Sequence, residues 1–353
     1  MTVTSNIDPS LALLLVDASI ESYYALDSHA PAKCNPRNVI PPTGYDLVDC
    51  WTGVDTAFSV FNQVECFGVV FRSQAAPYTY IFSFRGTYSM LDALDDLGFW
   101  EKEYFVPFQA SPSPDAQVAS GFWGIYHTSV SGTQSMQEQL FGLLDKYNGS
   151  AHPIHRLLVT GHSLGAALCE LFTLDLALSH YRDIAYSNYN YAGPQVGNAA
   201  FAQLYDSQPR EQDPATRTLR VQNTYDVVPC SPPTTFFDYQ HVGDAYLVAF
   251  YNKDAGWLDP YAKLYDHQAL NYQAVLACAF ASQGGVCIND NLSVPSDSET
   301  LVSQRPDPSK LCSLFLQAQA LSTPAAVTPG LLGSTSSAVP PSGPEQVSGA
   351  GGG

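Results

Sequence analysis

A serine hydroxyl becomes a nucleophile when a nearby imidazole takes its proton and a carboxylate orients that imidazole. Ser163, in Gly161-His162-Ser163-Leu164-Gly165, has the surroundings for such a role. The pentapeptide alone is a weak signal, because Gly-x-Ser-x-Gly arises by chance in roughly one chain of this length in ten. Its flanks sharpen it. Leu157, Leu158 and Val159 form a short β-prone run before it, and Leu164, Leu168, Leu171, Phe172 and Leu176 recur at helical spacing after it. A strand entering a helix through two glycines turns so tightly that the serine is lifted clear of the sheet. The backbone N–H of Leu164 and the helix N-terminus then point at any negative oxygen forming beside Ser163. The plainer reading of the same residues is a glycine-rich turn with an idle serine.

Around a turn of this kind the acid follows the serine and the base follows the acid. Asp226, in "VQNTYDVVP", begins the loop after an expected strand; a routine strand-end aspartate is the alternative. Two histidines come later. His241, in "YQHVGDAYLV", precedes the last expected strand, so its loop opens away from the strand ends that carry the other two groups. His267, in "LYDHQALNYQ", follows that strand and is the expected base, with His241 the alternative. The other six histidines read as surface or packing residues. His162 is too close to Ser163 in sequence to swing its ring onto the hydroxyl.

Positioning these residues takes a large core, and the chain has one: 353 residues, 45% hydrophobic and 14% charged. A helix is expected over 10–27, with Asp8 as N-cap and Pro9 opening it, then a loop broken by prolines over 28–45. "VECFGVVFR" (64–72) and "YTYIFSF" (78–84) read as paired strands, and 119–147 carries helical periodicity. After the strand before Ser163, "IAYSNYNYAGP", "RTLRVQNTYD" and "AYLVAFYN" (245–252) read as further strands. Strands alternating with helices predict an α/β fold with a mostly parallel central sheet. One domain is expected over 1–321. From Ser322 the composition shifts to Ser, Pro, Gly and Ala, which predicts a disordered tail over 322–353.

The formal net charge is −18. It argues against nucleic acid as a partner, since few basic groups would neutralise phosphates, and leaves neutral or zwitterionic substrates as the easier encounter. No stretch reaches the ~18 apolar residues of a membrane span. Leu11–Val16 reads as core helix and not as a signal peptide, having no basic residues before it and no cleavage site after it. The eight cysteines contain no Cys-x-x-Cys pair, so no zinc site is expected. Cys34 with Cys50, or Cys278 with Cys287, are candidate disulfides, free thiols are equally compatible with the sequence, and Cys169 is expected to be a free buried thiol.

Six segments, in order over residues 60–280, resemble the class 3, fungal-type lipases. "FSFRGTYSMLDALDDLGF" (82–99) looks like that family's oxyanion strand and lid, and "GHSLGAAL", "YAGPQVGNAAF" and "NTYDVVP" resemble its serine turn, a later strand turn and its acid loop. "HVGDAYLV" and "DHQALNY" resemble the segments before and at its histidine. The resemblance implies an α/β-hydrolase fold with helices on both sheet faces and a short lid helix at about 88–105. It implies a Ser163, Asp226, His267 triad, an oxyanion hole of Thr87 and Leu164, and a structural role for His241. Met90, Leu91, Leu94, Leu97 and Phe99 would supply the lid's apolar surface, although Asp92-Ala93 stands where family lids often carry Asn-Trp. The implied activity is hydrolysis of carboxylic esters, most simply neutral acylglycerols at a lipid–water interface, with no metal or organic cofactor. Alternatives are an esterase for small or feruloyl-type esters, a phospholipase A1, or an inactive lipase-like binding protein.

Overall fold

The run Leu157–Val159 lies in a strand whose two faces divide the core. Leu157 and Val159 belong to a buried cluster with Phe82, Leu168 and Phe172, while Leu158 between them belongs to another with Leu15, Val69 and Tyr189. Successive side chains of a strand face opposite ways, so this strand is buried on both sides, as a central parallel strand must be. The structure, a computed structural model, describes residues 2–4, 6–56, 63–87, 101–208, 218–232, 237–252, 266–281, 292–293, 300–310 and 312.

In chain order the strands are β1 (Thr2–Val3), β2 (Tyr45–Asp55), β3 (Gln63–Ser73), β4 (Thr79–Phe84), β5 (Lys102–Tyr104), β6 (Gln117–Ala119), β7 (Arg156–His162), β8 (Ala185–Tyr191), β9 (Gly197–Asn198), β10 (Thr218–Asn223), β11 (Tyr239–Gln240), β12 (Asp244–Val248), β13 (Phe250–Asn252), β14 (Leu292–Ser293) and β15 (Thr300–Ser303). The main sheet has eight strands in the order β1-β12-β10-β8-β7-β4-β3-β2. From β1 to β4 all neighbours are parallel; β3 and β2 close one edge antiparallel. The helices Pro9–Tyr24 and Ala269–Ala281 cover one face; Ser120–His127, Met136–Asn148 and Leu164–Leu178 cover the other. This is the α/β-hydrolase architecture. Asp8 caps the first helix through Ser10 N–H and Leu11 N–H, with Pro9 as its first residue.

Several elements differ from the sequence reading. The proline-rich loop runs directly into β2, an eleven-residue strand the sequence did not suggest. Its outer positions are only half-buried, so the apolar pattern that betrays a central strand is missing. The periodic stretch 119–147 is two helices, broken where Val130 bridges Thr133 across Gly132 (φ 85°). Ser135 starts the second helix with a capping box to Glu138, a Ser-x-x-Glu signal present in the sequence. The expected last strand is interrupted at Ala249: β12 stays in the main sheet, while β13 leaves it to pair antiparallel with β15.

The disulfides also correct the expectation. Cys34 bonds Cys66, with Cα atoms 4.9 Å apart, and not Cys50, which is free. Cys66 N–H donates to Pro31 O at 3.0 Å, which lays the 31–34 loop against β3. Cys230 bonds Cys312, and Cys278 is also disulfide-bonded. Cys169 is a free buried thiol, as expected. The tail 322–353 lies outside the described residues.

Candidate active site

Strand β7 ends at His162 and the helix begins at Leu164, so one residue makes the whole turn. That residue is Ser163, at φ 63° and ψ −127°, a region L-residues rarely occupy. A Cβ on Gly161 would run into the Gly165 carbonyl, and one on Gly165 into the Phe84 carbonyl. Both are backbone atoms that hold a strand or the helix in place, so both positions require glycine. Ser163 N–H donates to Tyr191 O at 3.0 Å, fixing the turn to β8.

The serine meets its expected partners at the C-terminal ends of the parallel strands. His267 Nε2 lies 2.8 Å from Ser163 Oγ, and His267 Nδ1 lies 2.8 Å from Asp226 Oδ2. All three residues are buried. Asp226 Oδ1 also accepts from Val228 N–H at 2.9 Å, and Oδ2 from the Tyr272 hydroxyl at 2.9 Å. That hydroxyl in turn accepts Asn223 N–H at 2.9 Å. The Asn223 side-chain amide binds Phe250 O and the Asp266 carbonyl, each at 2.9 Å, so the acid loop and the histidine segment are tied to one strand end. The serine, imidazole and carboxylate form one continuous hydrogen-bonded chain.

His241 lies elsewhere: its Nε2–H donates to Pro229 O at 2.7 Å, three residues past Asp226. The β4–β7 register, with Phe84 opposite Gly161, carries Arg85-Gly86-Thr87 past the strand end beside Ser163. Thr87 Oγ1 is buried with no hydrogen-bond partner among the described residues, a hydroxyl donor not engaged by the fold. Arg85 anchors this stretch: its guanidinium pairs with Glu65 at 2.7 Å and binds the carbonyls of Cys66 and Gly86. The proposed lid residues Met90, Leu91, Leu94, Leu97 and Phe99 lie outside the described residues. The end of that expected segment, Lys102–Tyr104, is strand β5, paired antiparallel with β6.

The sequence reading missed His162. Its Nε2 lies 2.7 Å from the His267 backbone carbonyl and its Nδ1 lies 2.9 Å from the Tyr23 hydroxyl. Burial, reinforced by the neighbouring His267, holds its pKa well below the usual histidine range, so the ring is neutral. A carbonyl only accepts, so Nε2 carries the proton and Nδ1 accepts from Tyr23. The ring therefore fixes the backbone of His267 from behind the serine turn. No spacing signal marks it, because Tyr23 and His267 come together only through the sheet.

Among the described residues, no group of three or more His, Cys, Asp or Glu side chains could hold a metal ion, and no helix is long and apolar enough to cross a membrane. Residues 81–236 match the model of the family Lipase (class 3). A lipase of Rhizopus niveus is 32% identical over 214 residues, covering 59% of this chain and 48% of that protein. Phospholipase A1-II 4 of Oryza sativa subsp. japonica is 30% identical over 170 residues, covering 45% of this chain and 41% of that protein. The chain thus spans about half the length of these relatives. In fold, the nonglycosylated LIP2 lipase of Yarrowia lipolytica superposes with a TM-score of 0.53 over 89% of this chain and 91% of that one, at 18% identity.

Proposed function

We propose that this chain, which belongs to the class 3 lipase family, is a serine hydrolase of carboxylic esters whose preferred substrates are neutral acylglycerols. One observation carries the reading: Ser163 Oγ, held out at φ 63°, is 2.8 Å from His267 Nε2, whose Nδ1 is 2.8 Å from Asp226. Ser163 Oγ attacks the ester carbonyl carbon as its proton passes to His267 Nε2. The carbonyl oxygen becomes an oxyanion, held by the backbone N–H of Leu164, the helix N-terminus behind it, and the N–H and hydroxyl of Thr87. Collapse of this intermediate expels the alcohol, which takes the proton from His267. A water molecule then gives its proton to His267 and attacks the acyl-serine, and the returning proton frees Ser163 and the acid.

Asp226 orients the imidazole and steadies the imidazolium; Tyr272 and Val228 N–H hold the carboxylate in register. The net charge of −18 supports neutral over anionic lipid substrates. The kinship with a phospholipase A1 keeps a zwitterionic phospholipid as the second reading. A fluorophosphonate probe should label the wild-type chain and not Ser163→Ala, and emulsified triolein should be cleaved faster than phosphatidylcholine vesicles. Labelling that survives Ser163→Ala defeats the mechanism. Faster cleavage of phosphatidylcholine at the sn-1 position moves the substrate to the second reading.

A further inference from the structure

Behind the serine turn, the face of the sheet under the helix Leu164–Leu178 changes character. On β7 this face carries Leu157 and Val159; on the next two strands it carries Asn188 and Asn190, then Thr218, Arg220 and Gln222, all buried. Glu170 of the helix lies over them and is buried as well. Burying this many polar groups is tolerable only if each finds a partner. Six atoms here find none among the described residues: Glu170 Oε2, Asn190 Oδ1, Gln222 Oε1, His241 Nδ1, and Nη1 and Nη2 of Arg220.

These atoms belong to one neighbourhood. Arg220 and Asn190 are direct partners in the β10–β8 register. Asn190 Nδ2 donates to Glu170 Oε1 at 3.2 Å. Gln222 Nε2 lies 3.2 Å from His241 Nε2, and Arg220 Nε donates to Val242 O at 2.6 Å, one residue past His241. The Arg220 charge is felt at both Glu170 and His241.

The chemistry of the set selects the occupant. The guanidinium nitrogens only donate, whereas Asn190 Oδ1 only accepts. The Gln222 amide faces the His241 Nε2–H, so its oxygen turns to that donor and its NH2 group is a further donor to the site. His241 spends its proton on Pro229 O, which leaves Nδ1 as an acceptor. Glu170 Oε2 accepts when ionised and donates when protonated. An anion bound by Arg220 would be turned against Asn190 Oδ1 and His241 Nδ1, and a cation drawn to those acceptors would be pressed against the guanidinium. Only a molecule that donates and accepts at the same time suits every member.

We propose that Glu170, Asn190, Arg220, Gln222 and His241 enclose a buried hydration site whose ordered water bridges the Arg220 guanidinium to the surrounding acceptors. The site lies apart from the Ser163–His267–Asp226 path but touches both of its supports. Glu170 is on the helix that starts at Leu164, and His241 holds the acid loop through Pro229.

Crystals of the full chain, collected with and without a bromide soak, test this. The expected result is ordered density within hydrogen-bond distance of Arg220 Nη1 or Nη2 and of Glu170 Oε2 or Asn190 Oδ1, with no bromide signal there. A guanidinium in direct contact with the Glu170 carboxylate and no density between them overturns the proposal, as does a bromide peak at Arg220. Oxygen-17 relaxation dispersion gives a solution readout. The paired replacement Glu170→Leu with Arg220→Met should keep the fold and lower the number of long-lived internal waters; a folded variant with an unchanged number refutes it.

Discussion

Two near-isosteric replacements of His162 divide its two hydrogen bonds between them. A glutamine amide reaches as far as the ring Nε2 and can still donate to the His267 carbonyl, but abandons Tyr23. An asparagine amide sits where Nδ1 was and can still accept from Tyr23, but leaves the His267 carbonyl, now bonded at 2.7 Å, without a donor. Each change removes one buried bond, so each should destabilise the fold by about 1–3 kcal/mol. Their effects on catalysis should differ. His267 Nε2 is aligned on Ser163 Oγ at 2.8 Å by its ring contacts with Asp226 and by its backbone. A displacement of the reacting groups by about 1 Å is worth up to roughly 100-fold in rate. The expected result is that His162→Asn lowers kcat by about 10- to 100-fold with KM little changed, whereas His162→Gln stays within about threefold of wild type. The assay is initial-rate hydrolysis of a soluble p-nitrophenyl ester, run beside fluorophosphonate labelling rates and thermal unfolding. Equal losses of kcat in the two variants, or an asparagine variant that is less stable yet fully active, would show that the bond to the His267 carbonyl serves the fold alone.

Replacing Ser163 with Ala should leave the fold intact and reduce turnover by roughly 10⁴- to 10⁶-fold, measured by ester hydrolysis and circular dichroism. Thr87→Val keeps the shape and the N–H but deletes the unengaged hydroxyl, so kcat should fall by up to roughly 100- to 1,000-fold with KM little changed; an unaltered kcat would leave only the backbone of Thr87 in that role. His267→Ala should abolish hydrolysis and slow labelling, while His241→Ala should retain a labelled, active serine with lower thermal stability; the reverse pattern would exchange their roles. Burial raises the Glu170 carboxyl to about 8, above its unfolded value near 4.5, so the folded chain holds this proton where the unfolded chain has lost it. That contribution is complete below pH 4.5 and disappears as pH rises through about 8. Between pH 6.5 and 8 the depressed His162 and His241 are deprotonated in the folded chain, and the same two histidines titrate in the unfolded form of both proteins, so their contribution cancels in the comparison. Urea unfolding should therefore show wild type losing up to about 2 kcal/mol relative to Glu170→Gln across that window. Parallel curves for the two proteins would mean that Glu170 is ionised in the folded state throughout.

What the sequence revealed and what it concealed follow from the range of the forces involved. The serine turn is local: a strand, two glycines and a helix lie within twenty residues, and the glycines are dictated by backbone atoms of the same turn and of β4 beside it. Strand order separated the two later histidines in space: His267, after β12, lies 2.8 Å from Ser163 Oγ, whereas His241, before it, lies against Pro229 O. Strand β2 was hidden because its half-buried outer positions erase the apolar run. The partner of Cys34 was misread because loop proximity was argued along the chain, whereas Cys34 meets Cys66 through the fold of the loop onto β3.

His162 and the polar layer behind the turn share a different cause. Side chains alternate along β7, so His162, its last residue, shares the face of Leu158 and points away from that of Leu157 and Val159. There it meets Tyr23 from the first helix and the backbone of His267, just before the helix Ala269–Ala281, two segments that only the completed sheet brings together. The same alternation puts Asn190, Arg220 and Gln222 on the face opposite Tyr191, Val221 and Asn223. One face of β8 and β10 thus holds the backbone of the reacting groups, and the other holds charge that must be solvated from within. A hydrophobic core there would fill the same volume, but it would give His241, which holds the acid loop through Pro229 O, no polar neighbour in Gln222 or Arg220.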